Sequence, residues 1–421
     1  MANKRTKDKL GRSLARVVKA TGLAKVPGLA RLAAPAVGKV GSKAADLFNR
    51  TLTWARRDPL WLVSGVGLIL IIVVALLQTP PLAKPGPQQL GVRNEGVGGP
   101  QGDQSQRRVV GYFEDGWKKY YDDSFPVVRD NPDVFDEIVP FWHTLSQSGE
   151  IIVDRQRDEV VNFARENDIK VVPLINNEKN VDPGNDRVFT DPTIRQRAVD
   201  SVVALVDKYG YDGVNIDFEK IPAGSAADFT EFIRMLASEL RPEGKIISLS
   251  VFPKVDVPER IHGAHDYEAL EEHVDEFIIM VYPHHSSGTG PGSLTPYGWV
   301  DAVMAWTVER IPREKITVAL ALYGYDWPAR GTGTTLPTKG MVSVADRFGA
   351  DIKFDTETRS AFFFYWKNGI KHEVWFEDNR SIREKIELFR KHDVALGFWR
   401  VNFEHNPDEL WEIVRQEYLN K

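Results

Sequence analysis

Eight short apolar runs, spaced along residues 107–421, limit what this chain can fold into more than any other feature of its sequence. They are VVGYF (109–113), EIVPFW (137–142), KVVPLI (170–175), GVNIDF (213–218), IISLSVF (246–252), EFIIMVY (276–282), ITVALALYG (316–324) and VALGFW (394–399). Each is rich in β-branched or aromatic residues and nearly continuous, the pattern of parallel strands buried on both faces. Most are separated by amphipathic stretches such as RDEVVNFAREN (157–167), RQRAVDSVVALVDKYG (195–210) and ADFTEFIRMLASEL (227–240). Eight strand–helix units predict an α/β fold closed into a (β/α)8 TIM barrel over 107–421, rather than an open doubly wound sheet. The seventh unit is interrupted over about 340–380, where FFFYW and EVWFED flank the turn KNGIKH. That pattern predicts a small α+β insertion carrying a hairpin.

The residues ahead of the barrel differ in kind. LWLVSGVGLILIIVVALL, from Leu60 to Leu77, carries no charge, and with its flanks (58–79) it is long enough to span a bilayer. Trp54 and Trp61 lie at one boundary, where indole rings favour the interface. Residues 1–57 hold fourteen Lys and Arg against Asp8 and Asp46, although the whole chain has a net charge of −5. The positive-inside rule therefore expects a single-pass cell-membrane anchor, with the basic arm 1–57 cytoplasmic and the barrel extracytoplasmic. The long arm before the apolar run, and no clear A-x-A site after it, favour an uncleaved anchor over a signal peptide. Residues 80–106, rich in Pro, Gly and Gln, are expected to form a disordered linker.

Composition removes several chemistries. Cys is absent, so there is no disulfide or thiolate nucleophile. The GTGTT stretch at 331–335 lacks the Lys and spacing of a phosphate loop. No nucleic-acid partner is expected, since a membrane anchor accounts for the basic arm. His284–His285 and the His262/His265 pair lack a clear third ligand, so neither metal nor cofactor is expected.

The chemistry concentrates in the fourth run, DGVNIDFEK (212–220). Alternation along a strand places Asn215, Asp217 and Glu219 on one face and Val214, Ile216 and Phe218 on the other. In a barrel of this kind the site lies at the C-terminal strand ends. Two inward carboxyls so close would repel if both ionised, so one must titrate high, as suits a general acid. They are too close along one strand to be the opposed pair that flanks a sugar ring at ~5–9 Å, which favours a mechanism with one proton-handling carboxyl. The competing reading, a salt-bridged strand end without chemistry, leaves two inward acids kept at a cost for no purpose.

DGVNIDFE resembles the D-G-x-x-x-D-x-E signature of family 18 glycoside hydrolases, at the strand where that family carries it. PFWHTL (140–145), PLINN (173–177), ALALYGYDW (319–327), EVWFEDNRSIREKI (373–386) and GFWR (397–400) are similar to its spore cortex-fragment lytic branch. The resemblance implies substrate-assisted retaining hydrolysis, in which Glu219 is the proton donor and Asp217 orients the substrate's 2-acetamido group. It also implies that Tyr282, in a motif with Met280, hydrogen-bonds that group, and that Trp399 floors the reacting sugar. Asp212 and Gly213 would support the turn. The chain departs from the pattern at Asn215 and at Pro283, where the family often has Asp.

Further substrate contacts are expected from Asn215, and from Tyr112, Trp117, Trp142, Tyr323 and Trp327, which fall at or just beyond strand ends and could stack on sugars. Asn176 and Asn177 could meet sugar hydroxyls or cap a turn. Loops 286–293 and 330–337 would rim the cleft. The implied partner is a carbohydrate with N-acetyl groups, from peptidoglycan or spore cortex, with chito-oligosaccharides as the alternative. A catalytically silent glycan-binding envelope protein is the alternative from another class.

Overall fold

The computed structural model describes residues 107–118, 121–177 and 186–420. The basic arm, the apolar run 58–79 and the linker 80–106 lie outside these residues. Among the described residues, no helix is long and apolar enough to cross a membrane.

The barrel strands are β1 (Val109–Phe113), β2 (Glu137–Leu145), β3 (Leu174–Asn177), β4 (Gly213–Asp217), β5 (Ile246–Val251), β6 (Glu276–Met280), β7 (Ile316–Ala321) and β8 (Ala395–Trp399). Every neighbouring pair is parallel. Closure comes from β1, whose Val110 stands opposite Glu137 of β2 on one side and Gly397 of β8 on the other. A closed sheet has no open edge, and its helices cover the outer face.

Helices form where caps and apolar spacing agree. In Pro192–Tyr209 the Asp191 side chain accepts from the Thr193 and Ile194 N–H groups, and Gly210 ends the helix in the left-handed region. The helix buries Ile194, Ala198, Val202, Leu205 and Val206, a stripe at helical spacing. The next helix, Ala226–Leu240, buries Phe229, Phe232, Ile233 and Leu236. Gly213 is required by the β4–β5 approach, since a Cβ there would lie 2.2 Å from the Ile246 carbonyl.

Two strands differ from their sequence reading. KVVPLI divides into Lys170–Val171 and Leu174–Asn177, both paired with β2. Pro173 has no N–H for the ladder, yet its carbonyl still accepts from Asn215 N at 3.0 Å. The run 316–324 is not one strand either: β7 ends at Ala321, and Tyr323–Pro328 belongs to a separate antiparallel sheet.

That inserted sheet is ordered Thr334–Pro337, Tyr323–Pro328, Ile370–Phe376, Ser360–Lys367, Lys353–Asp355. It therefore starts at Tyr323, well before the expected residue 340. One face packs on the helix Thr338–Phe348 around Met341, Ala345, Phe363, Tyr365 and Phe376. The expected hairpin turns at Asn368–Gly369, both with positive φ (52° and 76°), as a two-residue turn of this hand requires. Where the sheet hands back to the helix Asn379–His392, Glu377 and Lys385 form a fully buried ion pair at 2.5 Å.

Candidate active site

The end of β4 divides its side chains as alternation requires. Phe218 points outward, stacks on Phe232 at 5.9 Å and is 1% exposed. Asp217 sits at the barrel mouth, 9% exposed, and Glu219 is exposed just beyond it. The β3–β4 register sets Asn176 opposite Asp217. Asn176 is buried, and its Oδ1 has no hydrogen-bond partner.

Tyr282 lies just past β6, where its N–H donates to the Met280 carbonyl at 2.7 Å. Both residues are buried. The Tyr282 hydroxyl is also buried and lacks a hydrogen-bond partner. Burial, then the nearby Tyr112, Tyr323, Asp217 and Glu219, push its pKa well above the usual phenol value. It is therefore a neutral donor at any working pH, set close to both acids. From Tyr282 an aromatic wall continues onto the inserted sheet: Tyr323 at 6.0 Å, Tyr325 at 5.8 Å from Tyr323, and Trp327 at 5.3 Å from Tyr325.

Trp399, half-buried at the end of β8, meets the edge of Tyr112 at 4.8 Å and of Phe141 at 6.3 Å. The Arg400 guanidinium lies 4.8 Å from the Trp399 ring and pairs with the buried Glu114 after β1. Burial lowers the Arg400 pKa to about 9.

Several residues expected to touch sugar are committed elsewhere. Asn215 is fully buried: its Nδ2 donates to Ser248 Oγ and its Oδ1 accepts from Ser250 Oγ, both at 2.9 Å. Ser250 in turn bonds the Tyr112 hydroxyl at 2.6 Å, leaving Tyr112 only 2% exposed as a brace for Trp399. Trp142 has no exposed surface, and its indole N–H donates to Asp115 at 2.5 Å, so it is core rather than a stacking platform. Asn177 gives its amide to the Glu219 backbone. Asp212 accepts from Val171 N at 2.8 Å, tying the residue before β4 to the short strand Lys170–Val171. Among the histidines, His284 approaches Asp256, His262 bonds Lys254, and His265 Nε2 bonds the Phe218 carbonyl.

Sequence reasoning did not single out Ser248, Ser250, Glu114 or Arg400. Ser248 and Ser250 fall two apart in a run otherwise apolar, which marks them as inward polar positions of β5. Glu114 and Arg400 left no such signal.

The sequence model of Glycosyl hydrolases family 18 matches residues 108–403. The Bacillus subtilis protein described as a sporulation-specific glycosylase, YdhD, is 33% identical over 227 residues, covering 52% of this chain and 54% of that one. The cortical fragment-lytic enzyme of Bacillus subtilis is 30% identical over 223 residues, 51% of this chain and 52% of that one. The chain thus spans about half the length of the curated relatives it matches. Among solved structures, the Bacillus cereus spore cortex-lytic enzyme SleL superposes with a TM-score of 0.67 at 23% identity, over 74% of this chain and 75% of that one. A chitinase from Chromobacterium violaceum gives 0.67 at 23% identity, over 74% of this chain and 98% of that one. At that identity these two likenesses speak for the barrel alone. The family match covers both the carboxyl-bearing end of β4 and the Trp399 end of β8, and the chain belongs to glycosyl hydrolases family 18.

Proposed function

We propose that the chain is a glycosidase that hydrolyses β-1,4 bonds of N-acetylglucosamine-containing glycans, namely spore cortex or peptidoglycan fragments, by substrate-assisted retaining catalysis. The observation that carries this reading is the Tyr282 hydroxyl, a buried donor without a protein acceptor beside two carboxyls. A buried donor left unsatisfied costs about 1–3 kcal/mol, and a substrate carbonyl arriving at that point would recover it. An acetamido carbonyl supplies such an acceptor.

In the reaction, Glu219 gives its proton to the glycosidic oxygen as the C–O bond breaks. The carbonyl oxygen of the 2-acetamido group forms the new bond to the anomeric carbon, and Asp217 stabilises the positive charge that spreads onto the amide. Glu219, now a carboxylate, takes a proton from water as the water opens the oxazolinium-like ring. Two displacements at one carbon return the starting configuration. Trp399 provides the apolar floor, and the wall of Tyr323 and Tyr325 receives the neighbouring sugars.

The cortical fragment-lytic relatives make cortex fragments the first substrate to test, with chito-oligosaccharides in parallel. Glu219→Gln keeps the shape of the acid but cannot deliver its proton. Its turnover of defined N-acetylated fragments, followed by product mass spectrometry, is expected to fall by at least about a thousandfold. Equal turnover by both proteins would refute the proposal. A thiazoline mimic of the bicyclic intermediate is expected to bind, and its failure to bind would remove participation of the acetamido group.

The uncharged run 60–77, behind an arm with fourteen basic residues, supports a second part of the reading. It anchors the enzyme in the cell membrane with the barrel outside, close to a wall substrate. Carbonate-resistant membrane association, with the barrel open to added protease on intact protoplasts, is the expected result.

A further inference from the structure

Strand β4 ends at Asp217, so the peptides of Phe218 and Glu219 have left the barrel ladder. Side chains from two other elements hold them. Asn177 Nδ2 donates to the Glu219 carbonyl at 2.8 Å, and Asn177 Oδ1 accepts the Glu219 N–H at 3.1 Å. From the segment after β5, His265 Nε2 donates to the Phe218 carbonyl at 3.2 Å. Lys220 then turns the chain away in the left-handed region, at φ 60°. We infer that Asn177 and His265 are positioning residues, which fix the backbone of Glu219 and so aim its carboxyl at the scissile oxygen. The inference rests on the reading of Glu219 as the acid.

The chemistry of Asn177 is specific to the task. A short side chain must offer one donor and one acceptor in a plane to grip both the N–H and the C=O of one residue, and only Asn does so at this length. Asp offers acceptors alone and would face the Glu219 carbonyl with like charge. The strand register delivers the amide: Asn176 stands opposite Asp217, which sets Asn177 one step further out, beside the residues that have left the sheet.

His265 carries an independent sign of the same role. It is 2% exposed, with its ring 5.6 Å from Phe229 and 6.2 Å from Phe252. Burial lowers its pKa to about 4, which keeps the imidazole neutral. A carbonyl only accepts, so Nε2 carries the proton and Nδ1 is left a buried acceptor without a partner. A histidine that leaves one nitrogen unsatisfied among phenylalanines costs stability, and the bond to Phe218 is what it returns. Glu219 itself is exposed. Productive geometry is held within ~0.5 Å in efficient sites, and a displacement of ~1 Å costs on the order of a hundredfold in rate.

The test uses the full chain. Asn177→Ala and Asn177→Asp are expected to lower kcat about a hundredfold with KM within about twofold, because substrate contacts are untouched. His265→Leu is expected to lose about tenfold in kcat, while His265→Gln, whose amide nitrogen reaches the same carbonyl, returns to within about threefold of wild type. Hydrogen exchange gives an arm that needs no turnover: the Glu219 amide is expected to be protected in the wild type and unprotected in Asn177→Ala, with neighbouring β4 amides unchanged. A wild-type kcat in Asn177→Ala, a change confined to KM, or an unprotected Glu219 amide in the wild type would each overturn the inference. An inactive wild type with a protected Glu219 amide would instead count against the proposed function, so the two failures are distinguishable.

Discussion

The hydroxyl of Tyr282 contributes nothing to folding that its ring would not contribute alone, because it is buried without a partner. Tyr282→Phe is therefore expected to leave thermal stability unchanged or to raise it by up to about 1 kcal/mol. The same change removes the donor proposed for the acetamido group and is expected to lower kcat/KM about 10- to 100-fold. A lower melting temperature with unchanged kinetics would show the reverse assignment. Asn215 makes the opposite case, since both atoms of its amide are engaged by Ser248 and Ser250. Asn215→Asp replaces the Nδ2 donor with a carboxylate oxygen in a site with no exposure. Ionised, the new carboxyl is buried without a counter-charge; protonated, it can donate to Ser248 as the amide did. Its pKa in the fold must then exceed its unfolded value, so the variant's deficit is expected to be largest near pH 8 and to shrink as pH falls toward 5. Urea unfolding at the two pH values checks this, and a deficit independent of pH would refute it. The inward placing of Asp217 was legible because alternation acts within one strand of five residues. The partners of Asn215 and Glu219 were not, since they come from 33 to 42 residues away and only the barrel register brings them together.

Strand and helix boundaries show which local signals survive tertiary packing. The β-branched runs became strands because a closed parallel sheet buries both of their faces. The run 316–324 misled because Tyr323 and Gly324 follow the apolar stretch without a break, although the chain leaves the barrel at Leu322 and these two residues serve a different sheet. Asn368–Gly369 was readable, since those two residues alone satisfy the turn. The junction between the inserted sheet and its following helix rests on Glu377 and Lys385, both without solvent contact. Ser360 also donates to Glu377 at 3.0 Å, and Lys385 to the Arg359 carbonyl at 3.0 Å. Burial already raises the Glu377 pKa, with the Lys385 charge opposing that rise. Removing the cation in Lys385→Met strands a buried carboxylate and is expected to cost about 3–5 kcal/mol at neutral pH. The loss should lessen in acid, where Glu377 protonates, and should be largely relieved in the double variant Lys385→Met with Glu377→Gln. A single variant as stable as wild type would mean that the pair is dispensable to the junction.

At the scale of the whole barrel, the proposed chemistry lies at the mouth and the closure contacts lie at the floor. Arg108 before β1, Glu137 of β2, Ser248 of β5, Glu276 of β6 and Thr317 of β7 converge at the lower end. Glu276 accepts from Ser248 at 2.9 Å, from Thr317 at 2.6 Å and from Arg108 at 3.2 Å. Glu137 stands where β1 pairs with β2 to close the sheet, and burial, then the Glu276 charge, raise its pKa well above the carboxylate range. In the folded barrel Glu137 therefore keeps a proton that the unfolded chain releases near pH ~4.3. Between those two values the folded state binds more protons, so stability must fall as pH rises, by at most about 1.4 kcal/mol per pH unit for this one group. Glu137→Gln keeps the volume and a donor but has nothing to titrate. It is expected to match wild type near pH 5 and to become progressively more stable than wild type toward pH 9, with the difference read from urea midpoints across the range. Parallel stability curves for the two proteins would mean that Glu137 takes up no proton on folding, with Arg108 alone sufficient to keep the barrel closed.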